Sequence, residues 1–307
     1  MNEVKICTGL SDISDSYNGF IIDQWGTLHD GDRPFPDVIS ALQNLKSRGK
    51  QIILLSNSGK RSDDDIKRIS AMGIDNTLFD HVITSTEATW KSLDDRSHDL
   101  FKDTGNKCFL MNRHGDKGIL EGLDNIHLVD DIAQADFILL TGSDAPEKTI
   151  QDYYDPLLKE ASRKQIKMFC ANPEKTITIA GVNHEGSGGI ARRYEEFGGV
   201  VNYIGKPFPS VFQYAMSLFV DIYPSQICVV GDSLATDIRG ARYLDLDCAL
   251  IASGVHKGSF SRVKSTSDIH KMLKILGKNH GCDPTYFLPK FHWGKELPDR
   301  KNKRKAK

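Results

Sequence analysis

The chain has 307 residues, of which 39% are apolar and 26% charged, and its formal net charge is −1. That length suits two domains rather than one, and the apolar share is enough to build a sizeable core in a soluble globular protein. The balanced charge offers no global field to draw in nucleic acid or an anionic membrane, and the longest apolar runs fall well short of the roughly 20 residues that span a bilayer.

In chain order, Gly19–Asp23 (GFIID) reads as a buried strand ending in a carboxylate, and Pro36–Arg48 as a helix closed by Gly49. Gln51–Ser56 (QIILLS) reads as a second buried strand, Asp63–Met72 as a helix with Gly73 beyond its end, and His81–Thr84 as a short strand. A middle block carries its own pattern: strands at Lys107–Met111, Phe137–Leu140 and Lys167–Cys170, and helices at Glu147–Arg163 and Ile190–Phe197. The first pattern then returns, with strands at Val200–Ile204, Gln226–Gly231 and Cys248–Ile251 and helices at Ser210–Asp221 and Ala235–Tyr243. Strands alternating with helices in this way predict an α/β fold with a parallel sheet covered on both faces.

The N-terminus lacks the basic-then-apolar order of a secretory signal. The cysteines (Cys7, Cys108, Cys170, Cys228, Cys248 and Cys282) form no C-x-x-C pair or Cys/His cluster, which suits a reducing compartment. A cytoplasmic location is expected. The basic end, Arg300–Lys307, reads as a disordered, solvated tail.

Four short segments lie at or just after the C-terminal ends of predicted strands, the edge where open parallel sheets bind ligands. In FIIDQWGTLHDG, Asp23 ends a strand and Gly26 permits a sharp turn; a partly desolvated carboxylate there can act as a nucleophile or ligate Mg²⁺. In LLSN, Ser56 is followed by Asn57 and Ser58, whose hydroxyls and amides can hold a phosphoryl oxygen. In IGKPFP, Lys206 can neutralise a phosphate or the nucleophile. In VVGDSLATD, Asp232 and Asp237 suit a hard divalent cation. Each segment alone reads as an ordinary turn, cap or surface charge; their order and spacing are what carry weight.

Taken together, D-x-x-G-T-L, hydrophobic-S-N, G-K-P and V-V-G-D-x-x-x-T-D resemble the haloacid dehalogenase (HAD) superfamily over about residues 18–255. The long stretch between Asn57 and Lys206 looks like the C2-type cap of its class IIA branch, and ITSTEAT, ANPE and GDSLATDIRGA strengthen that likeness. The resemblance implies a doubly wound, Rossmann-like core at 1–85 plus 199–280, an inserted α/β cap at 86–198, and a C-terminal extension at 281–307. It implies an Mg²⁺-dependent phosphatase of a small phosphorylated metabolite (a sugar phosphate, nucleotide or aryl phosphate). No nucleic-acid or membrane partner is expected, and a homo-oligomer is admitted.

By the same resemblance, Asp23 forms a phosphoaspartate and Ser56 hydrogen-bonds the phosphoryl group, with Asn57 and Ser58 beside it. Lys206 holds phosphate and nucleophile together. Asp23, Asp232 and the backbone carbonyl of Trp25 bind Mg²⁺, and Asp237 orients that shell. The cap offers Asn172, Glu174, His184, Glu185 and the Gly186–Gly189 turn, whose amides are candidates to meet an anion; His114 with Asp116 is a further candidate pair.

One departure matters. Phosphatases of this superfamily have a second Asp two residues after the nucleophile, which protonates the leaving oxygen and later activates water. Here that residue is Trp25, whose indole N–H only donates and does not titrate. General acid–base catalysis is typically worth about 10²–10⁴-fold. His29 and Asp30 are the nearby candidates to replace it. The alternative is a HAD-fold binding protein impaired in catalysis by Trp25. A third reading, carbon–halogen hydrolysis, uses the same nucleophile but needs no Mg²⁺, and the acids Asp232 and Asp237 argue against it.

Overall fold

The computed structural model describes residues 3–96, 101–179, 182–263 and 265–294, so the basic tail Arg300–Lys307 lies outside the described residues. Two compact units emerge: Met1–Ile53 with Met72–Asp80 and Phe219–Lys307, and Leu54–Ala71 with His81–Leu218.

The first unit is built on parallel strands in the order Lys5–Ile6, Tyr286–Leu288, Asp247–Ile251, Ile227–Gly231, Gly19–Asp23. Gly19–Asp23 and Ile227–Gly231 are buried along their whole length, which is why both read as unbroken apolar runs rather than alternating ones. Their register pairs Ile227 with Gly19 and Val230 with Ile22, so the two chains reach the same sheet edge together. At the other end of Gly19–Asp23, Gln51 N–H meets Asn18 O at 2.9 Å and opens the strand Gln51–Ser56, which continues into the second unit.

The second unit holds a five-stranded parallel sheet in the order Val201–Tyr203, Lys167–Cys170, Phe137–Leu140, Lys107–Met111, His127–Leu128. The helices Asp155–Arg163 and Ser187–Glu196 cover it, burying Leu158, Ala161, Ile190 and Tyr194 against Ile138, Leu140 and Met168. The short antiparallel hairpin Thr176–Ile179/Val182–Glu185 precedes Ser187–Glu196. Parallel sheets with helical crossovers are the fold class the strand–helix alternation predicts. No helix among the described residues is long and apolar enough to cross a membrane.

Candidate active site

The matched register of Gly19–Asp23 and Ile227–Gly231 sets Asp23 at the end of one strand and Asp232 just past the end of its neighbour. From Ser233 the chain winds into a wide π-type turn, Leu234–Ile238, in which the N–H groups of Asp237 and Ile238 both reach Ser233 O at 3.1 Å. Such turns are rare and recur at functional sites. This one returns Asp237 to the strand end. Asp23, Asp232 and Asp237 each offer an oxygen within 4.8 Å of the others, and all three are buried.

The surrounding residues aim these carboxylates. Thr27 Oγ1 donates to Asp23 Oδ2 at 2.9 Å. Val255 N–H donates to Asp232 Oδ2 at 2.7 Å, and Ser233 N–H to Asp237 Oδ2 at 3.1 Å. Glycines make the closeness feasible. A Cβ on Gly231 would sit 2.2 Å from Asp237 Cγ, one on Gly254 1.9 Å from Asp232 Oδ2, and one on Gly26 2.1 Å from the same oxygen. Gly26 also has φ +82°, a left-handed turn that side chains resist.

Trp25 is 62% exposed. Its ring lies across Gly31, where a Cβ would be 2.4 Å from Cζ3. His29, a candidate to replace the missing acid, is fully buried. Gly31 N–H donates to its Nδ1 at 3.1 Å, which leaves the ring proton on Nε2, and the imidazole meets Trp25 edge-on, with centroids 6.1 Å apart. Asp30 caps its own turn: Oδ1 accepts from Asp32 N–H at 3.1 Å and Arg33 N–H at 3.0 Å. Those amides hold its carboxyl below the usual range, so at neutral pH it has no proton to give.

The second unit carries the other predicted residues. Lys206 is buried, at 4% exposure. Asn57 grips its backbone on both sides, Oδ1 accepting from Lys206 N–H at 2.7 Å and Nδ2 donating to Lys206 O at 3.0 Å. Nδ2 also reaches Glu174 Oε1 at 3.2 Å. Asn57, expected at the phosphate, thus ties two segments 149 residues apart. Gly205, with φ +129°, admits the approach: a Cβ would lie 2.7 Å from Pro173 Cδ and 2.8 Å from Asn57 Oδ1.

Ser56 is half-buried at its strand end. Ser58 Oγ accepts from Lys60 N–H at 3.2 Å, and Ser58 O accepts from Ser85 and Thr86 hydroxyls at 3.3 and 3.0 Å. Asn172 is half-buried, with Oδ1 accepting from Glu174 N–H at 3.1 Å. His184 is half-buried and Glu185 exposed, both on the hairpin. Sequence reasoning assigned no role to Thr27, Val255 or Gly254. Thr27 stands in the D-x-x-G-T-L segment and was legible there; the Val255 amide has no residue-type signal.

Residues 20–125 match the family described as haloacid dehalogenase-like hydrolase, and residues 203–269 the one described as HAD-hydrolase-like. The chain belongs to the haloacid dehalogenase-like hydrolases. This hydrolase is 24% identical over 259 residues to 5'-nucleotidase YutF of Bacillus subtilis (strain 168), covering 83% of this chain and 93% of that protein. It is 27% identical over 297 residues to a 4-nitrophenylphosphatase of Schizosaccharomyces pombe, covering 89% and 92%. Among solved structures, a haloacid dehalogenase-like hydrolase from Brucella suis 1330 superposes with a TM-score of 0.74 at 25% identity, covering 93% of this chain and 99% of that one.

Proposed function

We propose that this hydrolase is an Mg²⁺-dependent phosphatase of a small phosphorylated metabolite, working through a phosphoaspartate on Asp23. The observation that carries the reading is the buried cluster of Asp23, Asp232 and Asp237, with Thr27 fixing one oxygen of Asp23. The phosphatase and nucleotidase names of its relatives support it.

The donor set fits magnesium. All three side chains are hard carboxylates, close enough to share one small cation, and like charges so near one another call for a countercharge. Asp23, Asp232 and the carbonyl of Trp25 are the proposed ligands, with Asp237 orienting them. When bound, the ion supplies charge neutralisation for the phosphoryl group.

Thr27 orients the Asp23 carboxylate through Oδ2, and in this reading that carboxylate is the nucleophile. A carboxylate oxygen of Asp23 bonds to phosphorus as the ester P–O bond breaks. Water then cleaves the acyl phosphate, releasing inorganic phosphate and restoring the carboxylate. Lys206, its backbone held by Asn57, supplies positive charge to the phosphoryl oxygens, and Ser56 and Ser58 donate to them. Residues 86–198 act as the cap that excludes water and selects the leaving group.

No group in the Gln24–Arg33 loop replaces the missing acid. Asp30 is held ionised, and we assign the buried His29 ring to bracing the loop rather than to proton transfer. The leaving oxygen therefore departs unprotonated or takes its proton from solvent, which favours weakly basic leaving groups such as aryl oxides. The thiols of the protein are free, in keeping with a reducing, cytoplasmic setting.

Trp25 also favours a second reading, a binding protein that retains ligand affinity without turnover. One assay separates the two: phosphate release from an aryl phosphate and a metabolite panel, with and without Mg²⁺. Release that requires Mg²⁺ and disappears in Asp23→Asn is the expected result. A folded, Mg²⁺-binding protein that releases nothing from any member would favour the binding protein.

A further inference from the structure

We infer that this hydrolase selects phosphate esters whose leaving group carries a second anionic group, a carboxylate or a phosphate, and that Arg113 recognises it. The inference rests on the phosphatase reading, which supplies the first phosphate.

The second unit contains a cavity of about 520 Å³ lined by Lys60, Arg113, His114, Thr141, Asn172 and Ser187, among others. Its cationic character comes down to Arg113. Lys60 is neutralised by a direct ion pair with Asp116, another lining residue. Arg113 Nε donates to His114 Nε2 at 3.2 Å. No carboxylate lies within 4.0 Å of the Arg113 guanidinium among the described residues.

The guanidinium is presented by a fixed turn. Asp116 N–H closes onto Arg113 O at 3.1 Å, and His114 N–H donates to Asp144 Oδ1 at 2.7 Å. The turn sits directly on Gly142, where a Cβ would be 2.8 Å from Arg113 N. A planar fork held in one place matches carboxylate or phosphate oxygens in pairs, and matches a neutral polyol poorly.

A second observation also points to a ligand. Ser187 and Thr141 are 2% and 9% exposed and both line the cavity. Neither hydroxyl makes a hydrogen bond among the described residues, so both are available to donate to an oxygen bound in the cavity. Ser187 opens the helix Ser187–Glu196, whose positive end faces the same ligand. That helix start is a weaker anion site than its glycines suggest. Gly188 N–H is committed to Glu174 O at 2.8 Å and Gly189 N–H to Gly186 O at 3.0 Å.

The cavity shares a frame with Lys206 inside the second unit. Asn172 accepts from Glu174 N–H at 3.1 Å, and Glu174 Oε1 accepts from Asn57 at 3.2 Å. Asn57 in turn holds the Lys206 backbone. A phosphoryl group at Lys206 and an anion at Arg113 are therefore positioned by one set of bonds.

The test compares phenyl phosphate, 4-carboxyphenyl phosphate and hydroquinone bisphosphate. It measures kcat/KM for the wild type, Arg113→Gln and Arg113→Lys, and binding by calorimetry in Asp23→Asn with and without Arg113→Gln. The expected result is a preference of about tenfold or more for one or both anionic esters, in turnover and in affinity. Whichever ester leads identifies carboxylate or phosphate as the second group. Arg113→Gln should bring the ratio to within about twofold of one, and Arg113→Lys should keep part of it.

An absent preference, or one that survives Arg113→Gln, overturns the inference. Mg²⁺-dependent release from phenyl phosphate without any anion preference would defeat this inference alone. Arg113-dependent binding without any release would defeat the phosphatase reading alone.

Discussion

On the proposed mechanism, Trp25 stands where a proton donor would be needed for a basic leaving group, and neither Asp30 nor His29 is assigned to that post. Its own indole is non-titrating and 62% exposed, Asp30 is held ionised by two amides, and His29 is enclosed with Nδ1 occupied. The consequence is a leaving-group limit. Trp25→Asp should raise kcat for an alkyl phosphate by about tenfold or more, while a nitrophenyl ester, which departs without help, changes little. Steady-state rates on that pair check the claim, and a fall on the alkyl ester would mean that the indole itself serves the native reaction. Asp23 and Asp232 were legible in the sequence because each stands at the end of an apolar strand run, and Asp237 because of its spacing after Asp232. Arg113 was not: its role depends on Gly142 and Asp144, contacts that no local pattern encodes.

At the level of elements, the site is a strand edge whose glycines are as decisive as its acids. Gly231 ends Ile227–Gly231, and a methyl group there would collide with the Asp237 carboxylate at 2.2 Å. Gly231→Ala should leave the sheet intact yet weaken Mg²⁺ binding by about tenfold or more, the usual scale for disturbing groups that orient metal ligands. Calorimetric titration with Mg²⁺ tests this, and an unchanged affinity would remove Asp237 from the metal shell.

The strands Gly19–Asp23, Gln51–Ser56 and Phe137–Leu140 were readable end to end because they are uninterrupted apolar runs. Tyr286–Leu288 escaped notice. Three residues carry no periodicity, and only pairing with Asp247–Ile251 and Lys5–Ile6 makes them a strand. The helix Ala235–Tyr243 was foreseen, but not that its first part, Leu234–Ile238, is a π-type turn, since that widening is what returns Asp237 to the strand end.

For the whole molecule, a loss of stability in mild acid is expected from a buried histidine. His256 Nε2 accepts from Leu234 N–H at 3.3 Å, and its ring faces His280 with centroids 5.5 Å apart. Burial, and then the nearby His280, lower its pKa from the ordinary 6.5. The unfolded chain therefore takes up a proton near pH 6.5 that the folded chain refuses, so stability is full above that pH and falls as pH drops through the lowered folded value. Thermal melts between pH 7.5 and 5.5 should show this loss, in a range where carboxylates remain ionised. His256→Gln, which keeps an acceptor for Leu234, should reduce it, leaving the share of His280, whose pKa burial and then Arg239 also lower; an equal loss in the variant would assign the effect elsewhere.

The central claim is that phosphate passes through Asp23, and a rapid-quench experiment with an aryl phosphate and Mg²⁺ tests it most directly. Without a base to activate water, hydrolysis of the acyl phosphate should be slower than its formation. The account predicts a burst of aryl alcohol approaching one equivalent of enzyme, with the phosphoryl label recovered on Asp23 by mass spectrometry. Steady phosphate release with no burst and no label on Asp23 would contradict it.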